Sequence, residues 1–179
     1  MYILRRHPVP DSTGVTRPAA LFSVSTTQVT YQIPPGTAPG PATVTITAGD
    51  GVTGTVQVQV AAVSPGVYTL NAAGLIKAVV LRVSNGIEFV EDVYEIDPTG
   101  AVIARPITIS NGDQVSLIGY GTGFRAAGTG GVTVTLGADS PPILYAGPQG
   151  VAVGVDQFNI LIPPDLATGG PPAARPRIR

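Results

Sequence analysis

The 179-residue chain contains no cysteine. That excludes a disulfide framework and any thiolate-held metal, and it leaves the compartment open. A single histidine is present. It is His7, in a proline-containing stretch without strand or helix period, so a catalytic triad or a histidine zinc site has nothing to form around. No nucleophile stands with a base anywhere, and the expectation is that the chain is not an enzyme and carries no cofactor. Charged residues make up 12%, about half the usual share. The net charge of −1 gives no electrostatic reason to expect nucleic acid or an anionic membrane surface as partner. No apolar run approaches the ~18 residues that would suggest a membrane span. The opening MYILRRHPVPDSTG has two arginines but no apolar stretch after them, so no signal peptide is read there. A helical period longer than one turn is also missing.

Short-range alternation takes its place. Hydrophobic residues are 44% of the chain and aromatics 6%, so a core must be mostly Val, Ile, Leu and Ala, a mix that favours strands. With 23 glycines and 18 prolines the composition borders on low complexity, but clear alternation argues against disorder. The element TQVTYQIPPGTAPGPATVTI (27–46) recurs as DQFNILIPPDLATGG (156–170). The two align without a gap from Gln28/Gln157 through Ile33/Ile162 and the Pro-Pro pair to Ala38/Ala167 and Gly40/Gly169. An upstream apolar step recurs as Leu21-Phe22 and Leu144-Tyr145, with six extra residues before the second copy. A repeat at this spacing implies two related modules. In each copy a half-buried strand is ended by two prolines that cannot donate to a ladder.

Strands are expected at 21–24, 28–33, 43–47 and 55–61, the last with Val56, Val58 and Val60 on one face. Further strands are expected at 76–83, 89–96, 102–104, 107–109, 115–118, 132–136, 143–145 and 157–162. Gly49-Asp50-Gly51 and Asn85-Gly86 are hairpin signals, and Asp97-Pro-Thr-Gly100 is a turn. The spacing is that of an antiparallel sandwich or barrel. The expected division is an N-terminal arm (1–18), a first partial module (19–63), a junction (64–74), a second module (75–170) and a Pro/Arg tail (171–179).

Gly112-Asp-Gln-Val-Ser-Leu-Ile-Gly-Tyr-Gly-Thr-Gly-Phe124 followed by Val132-Thr-Val-Thr-Leu-Gly137 resembles an IPT/TIG-type immunoglobulin-like domain. Pro65-Gly-Val-Tyr-Thr-Leu-Asn71, Phe89 to Pro106 and Ile143 to Gly150 with Asp156-Gln157 resemble the Solibacter-type C-terminal domain family of large secreted bacterial proteins. The resemblance spans roughly residues 19–170. It implies an all-β, immunoglobulin-like antiparallel sandwich in an exported, non-enzymatic setting, extracellular or at the cell surface. Family members continue past the Ile-Pro-Pro element with a further hairpin. Here the first module has that hairpin (42–62) without the strands that should precede Leu21, and the second has the early strands without the hairpin. Three readings stay open. The chain is a fragment or frameshifted, with the Arg175, Arg177 and Arg179 tail as its mark; the halves complete one permuted sandwich; or one chain's hairpin completes the next chain's sheet.

The functional expectation is a non-catalytic structural protein, in its sharpest form a fibre subunit joined head to tail by strand exchange. Val44, Ile46, Val56, Val58 and Val60 would be donor contacts, Ile160 and Ile162 acceptor contacts, and Val58→Asp the discriminating substitution. The alternative is a carbohydrate- or ligand-binding adhesive module that stacks an extracellular polysaccharide on Tyr31, Tyr68, Tyr94, Tyr120 and Tyr145. Five acids lie between Glu88 and Asp97, and Glu91, Glu95 and Asp97 are weak calcium candidates, since hard oxygen donors cluster there. A solvated strand face with like charges guarding an edge is the simpler account. Gly119-Tyr-Gly-Thr-Gly-Phe124 lacks the lysine and following helix of a phosphate loop, so it reads as a turn or bulge.

Overall fold

The computed structural model describes residues 8–164. His7, the repeat residues Ala167 and Gly169 and the arginine tail lie outside the described residues. The fold is all-β and antiparallel, as the alternation predicts. The chain divides into two compact units, Met1–Ala62 and Val63–Arg179. Among the described residues no helix is long and apolar enough to cross a membrane.

Unit 1 opens with a hairpin, β1 (Pro8–Pro10) against β2 (Thr16–Pro18). This corrects the expectation of an unstructured arm over the described part of residues 1–18. Val9 is fully buried, and Asp11 organises the loop. One carboxylate oxygen of Asp11 accepts from the Thr13 amide and hydroxyl and from the Val15 amide. The other accepts from Arg17 at 2.6 Å and from the Ala38 amide at 3.0 Å. Next come β3 (Ala20–Val24) paired with β4 (Val29–Gln32), and β5 (Gly40–Thr47) paired with β6 (Thr53–Val60). These are two separate two-stranded sheets rather than one continuous meander. The core of the unit is Val9, Ala42 and Val44, with Ala19, Tyr31, Ile46, Val58 and Val60 packed around them.

Unit 2 is built on a larger sheet. Its strands are β7 (Gly66–Val67), β8 (Ala78–Ser84), β9 (Ile87–Asp92), β12 (Gln114–Thr122), β13 (Ile143–Pro148) and β14 (Asp156–Ile162), in the order β13-β14-β12-β8-β9 with β7 also on β12. Residues expected to be a junction therefore belong to this sheet. A separate hairpin joins β10 (Tyr94–Ile96) to β11 (Val102–Ala104). The alternation from Phe89 to Ile96 suggested one strand. The chain instead breaks at buried Val93, whose carbonyl accepts from the Arg105 amide at 2.9 Å, and so leaves the sheet for the hairpin.

One face of the sheet carries Ala78 and Val80 (β8), Val115 and Leu117 (β12), and Phe158, Ile160 and Ile162 (β14), all buried. Val93, Phe124, Val132 and Val134 cover them from the hairpin and irregular segments. Ile107 and Ile109, and Val132 to Leu136, alternate as a strand would, yet form none of the named strands. Leu136 makes an isolated bridge to Asp139. Their alternation records burial of every second side chain, which an extended segment achieves without a ladder.

The glycine run is explained by this core. Gly119 pairs with Phe158 across the ladder, and a Cβ there would fall inside the Phe158 ring. The Phe158 ring meets Phe124 edge to face at 6.2 Å. Gly123 takes φ +80°, and a Cβ there would strike the Ser64 carbonyl. The run is thus a strand with a turn after it. Asp156 is fully buried and fixes that turn, accepting from the Phe124 and Arg125 amides and the Arg125 guanidinium.

Candidate functional site

The acidic stretch does not assemble into a cation site. Glu91 pairs with Arg82, Nε to Oε1 at 2.5 Å, and Arg82 also donates to Asp113 at 2.7 Å. This near-buried triad holds Glu91 below the usual carboxylate range, chiefly through Arg82. Asp113 is lowered by the Ser84 hydroxyl and then by Arg82, and the Arg82 guanidinium is raised by Glu91. Asp97 instead caps its own loop. One oxygen accepts from the Thr99 hydroxyl and from the Thr99 and Ala101 amides, and the first of these does most to lower its pKa. Glu95 lies on exposed β10. Glu91, Glu95 and Asp97 are therefore corrected as a calcium set. Among the described residues no three His, Cys, Asp or Glu stand together as a metal-holding group.

The Asp97 loop matches the Asp11 loop bond for bond. Each is Asp-x-Thr-Gly-x with the same three donors to one oxygen. Each closes a hairpin of the same register, Val9 opposite Arg17 and Glu95 opposite Ile103. A second structural repeat thus accompanies the one legible in sequence.

The first repeat also has ladder geometry. In unit 1 Leu21 pairs with Tyr31, then a bulge, then Ser23 with Thr30 and Val24 with Val29. In unit 2 Ile143 pairs with Ile160, then a bulge, then Tyr145 with Asn159 and Ala146 with Phe158. The bulge falls at the same rung, so Leu21-Phe22 corresponds to Ile143-Leu144, one residue earlier than the sequence alignment placed it.

This equivalence exposes a difference between the units. β14 lies between β13 and β12, so both its edges are paired and Ile160 and Ile162 are buried. They are corrected as an acceptor surface, because a strand with no free edge receives none. β4, its counterpart, pairs with β3 alone among the described residues. Among the described residues, the edge that meets β12 in unit 2 is unpaired in unit 1. Val24, equivalent to buried Ala146, is 40% exposed, and Leu21 is 37% exposed.

The expected donor residues separate likewise. Val44 is buried, and Ile46, Val58 and Val60 pack on the unit 1 core. Val56 is 50% exposed. Val58→Asp would therefore disturb the unit's own core, which disqualifies it as a probe of assembly.

The tyrosines do not form one platform. Tyr31 packs on the unit 1 core. The Tyr68 amide donates to the Tyr120 carbonyl at 3.0 Å, so Tyr68 neighbours Tyr120 at the sheet, whereas Tyr94 lies on the β10 hairpin. Tyr120 and Tyr145 share the outer face of the large sheet, opposite Gln157 and Asn159. The chain has no match among protein-family models, curated proteins or solved structures.

Proposed function

We propose that the protein is a non-catalytic structural β-protein that associates with copies of itself through an open sheet edge. The observation that carries this reading is β4. Its counterpart in the same chain is an interior strand, while β4 itself has one edge unpaired among the described residues. Natural edges are blunted by charge, proline or bulges, yet residues 18–49 contain no charged side chain. Pairing there would recover backbone hydrogen bonds and cover apolar surface at about 25 cal/mol per Å². The resemblance to immunoglobulin-like domains of secreted bacterial proteins supplies the setting, extracellular or at the cell surface, with fibre formation as the sharpest form of the role.

The test is solution mass by light scattering across a dilution series. Polymers that persist on dilution support the reading, and an 18.1 kDa monomer at every concentration refutes it. A second reading, a polysaccharide-binding module, draws on Tyr120 and Tyr145 flanking the amides of Gln157 and Asn159, which bond each other at 2.8 Å. Aromatic faces beside amide donors suit a sugar ring. A glycan-induced rise in Tm that disappears in Tyr145→Ala would favour it.

A further inference from the structure

We infer that the strand filling the vacant edge of β4 is β6 of a second copy, antiparallel, with Val58 opposite Tyr31. This rests on the self-association reading and specifies its donor, acceptor and register.

The internal repeat shows what the vacant position takes. In unit 2, β12 sets Val115, Leu117 and Gly119 opposite Ile162, Ile160 and Phe158. Transferred to β4, the partner needs apolar residues at alternate positions opposite Ile33, Tyr31 and Val29; the glycine is dispensable, since Val29 is far smaller than the Phe158 ring that excludes a side chain at Gly119. The intervening residues must be uncharged, since they lie beside Gln32 and Thr30.

β12 itself does not serve, because β14 and β8 occupy its two edges. The outer edge of β9 carries Glu88, Glu91 and Asp92, which oppose pairing with another strand. β3 and β13 are bulged and β13 ends in Pro148, and both features blunt an edge. β5 contains Pro41. β6 reads Thr-Gly-Thr-Val-Gln-Val-Gln-Val, eight residues without charge, proline or bulge, paired on one side by β5. Its Val56, Val58 and Val60 supply the alternating apolar positions, and Gln57 and Gln59 the uncharged ones. Val58 and Val60 already face the apolar side of their own unit. An added β6 therefore continues the apolar face of β3 and β4 and brings β5 with it.

The contact is heterologous, with the donor edge of one copy on the acceptor edge of the next. Such a contact does not close on itself and grows a filament. Because the partner adds as a strand, backbone hydrogen bonds supply affinity and the alternating side chains set register.

The absence of native cysteine makes the register directly readable. In this pairing Gln59 of one copy lies opposite Thr30 of the next, and both are exposed. Full-length Thr30→Cys and Gln59→Cys chains are mixed under mild oxidation, with Thr30→Cys plus Thr53→Cys as the mismatched pair. A bound strand presents its thiol at a local concentration far above that of free chains. The matched pair should therefore form the mixed disulfide about tenfold faster. Equal rates overturn the inference. Val56→Asp, at a half-exposed position, provides the second readout: polymers should disappear while the far-UV spectrum and Tm are retained. Polymers that persist in Val56→Asp overturn the β6 assignment. Wild-type polymers with no matched-pair preference would sink this geometry and leave self-association standing. Monomers at all concentrations would sink both.

Discussion

The contact between Gly119 and Phe158 lends itself to a quantitative test, because one side chain exists at the expense of the other. Gly119→Ala sets a methyl inside the Phe158 ring. Overpacking costs about 1–3 kcal/mol, and replacing a strand glycine returns about 0.5–1 kcal/mol. The net loss should be about 1–2 kcal/mol. Phe158→Leu removes ring atoms from a fully buried site that also touches Phe124. Scaled from the large-to-small series, that costs about 1–2 kcal/mol. In the double variant the methyl enters space the ring has left, so the two losses should not add. The expected coupling is about 1–2 kcal/mol in favour of the double variant. Urea unfolding followed by tyrosine fluorescence and far-UV circular dichroism reads this out. With m of about 1–3 kcal/mol/M, each single variant should lower the midpoint by about 1 M. Additivity within about 0.5 kcal/mol would refute the reasoning, for it would mean that Gly119 is not glycine on account of Phe158.

The two Asp-x-Thr-Gly loops should differ in worth. Asp11→Asn loses contacts to Arg17 and Ala38 that Asp97 lacks, so it should lower Tm more than Asp97→Asn in thermal scans. Glu91 and Asp113 are held below the usual carboxylate range, so the folded chain binds their protons less readily than the unfolded chain. Their stabilisation is complete above the ordinary carboxylate range, about pH 5, and is lost progressively as pH falls below that range toward the lowered folded-state values; Arg82→Met should flatten that part of the Tm–pH curve. Calcium in millimolar excess should leave Tm unchanged, since Glu91 and Asp97 are already engaged by Arg82 and by the Asp97 loop; a rise would restore the acidic stretch as a cation site.

Alternation made the strands with one buried face legible. β12 and β14 bury every second residue along most of their length, and β8 does so at its start, and the side-chain period of two is printed in sequence. What alternation does not report is which edge of a strand is free. Ile160 and Ile162 read as an acceptor surface because their face was plain, while the pairing of β14 to both β12 and β13 depends on residues far along the chain. The same blindness makes Val132 to Leu136 read as a strand: burial alternates there, while Val134 and Leu136 form only isolated bridges. The hairpin at 8–18 was hidden for another reason. Pro8, Pro10 and Pro18 read as breakers, although on a two-stranded ladder of three rungs proline is tolerated at edges. Its signal was available in Asp11-x-Thr-Gly, which recurs at Asp97. Of the proposed interaction site, the valines of β6 stand out in sequence as a stripe, but β4 stands out only as a repeat, because an open edge has no residues of its own.

The paired bulges carry a further consequence, concerning descent. A bulge is a local insertion that a ladder must accommodate, and it serves as a tracer because nothing in regular pairing requires it at a given rung. Leu21 and Ile143 are offset by 122 positions and Tyr31 and Ile160 by 129, so seven residues separate the two copies in the connection between strands. The bulged residues themselves, Phe22 and Leu144, differ. Side chains and loop length have drifted while the irregular rung has not. The β3-β4 and β13-β14 hairpins thus share a backbone irregularity that their side chains no longer share.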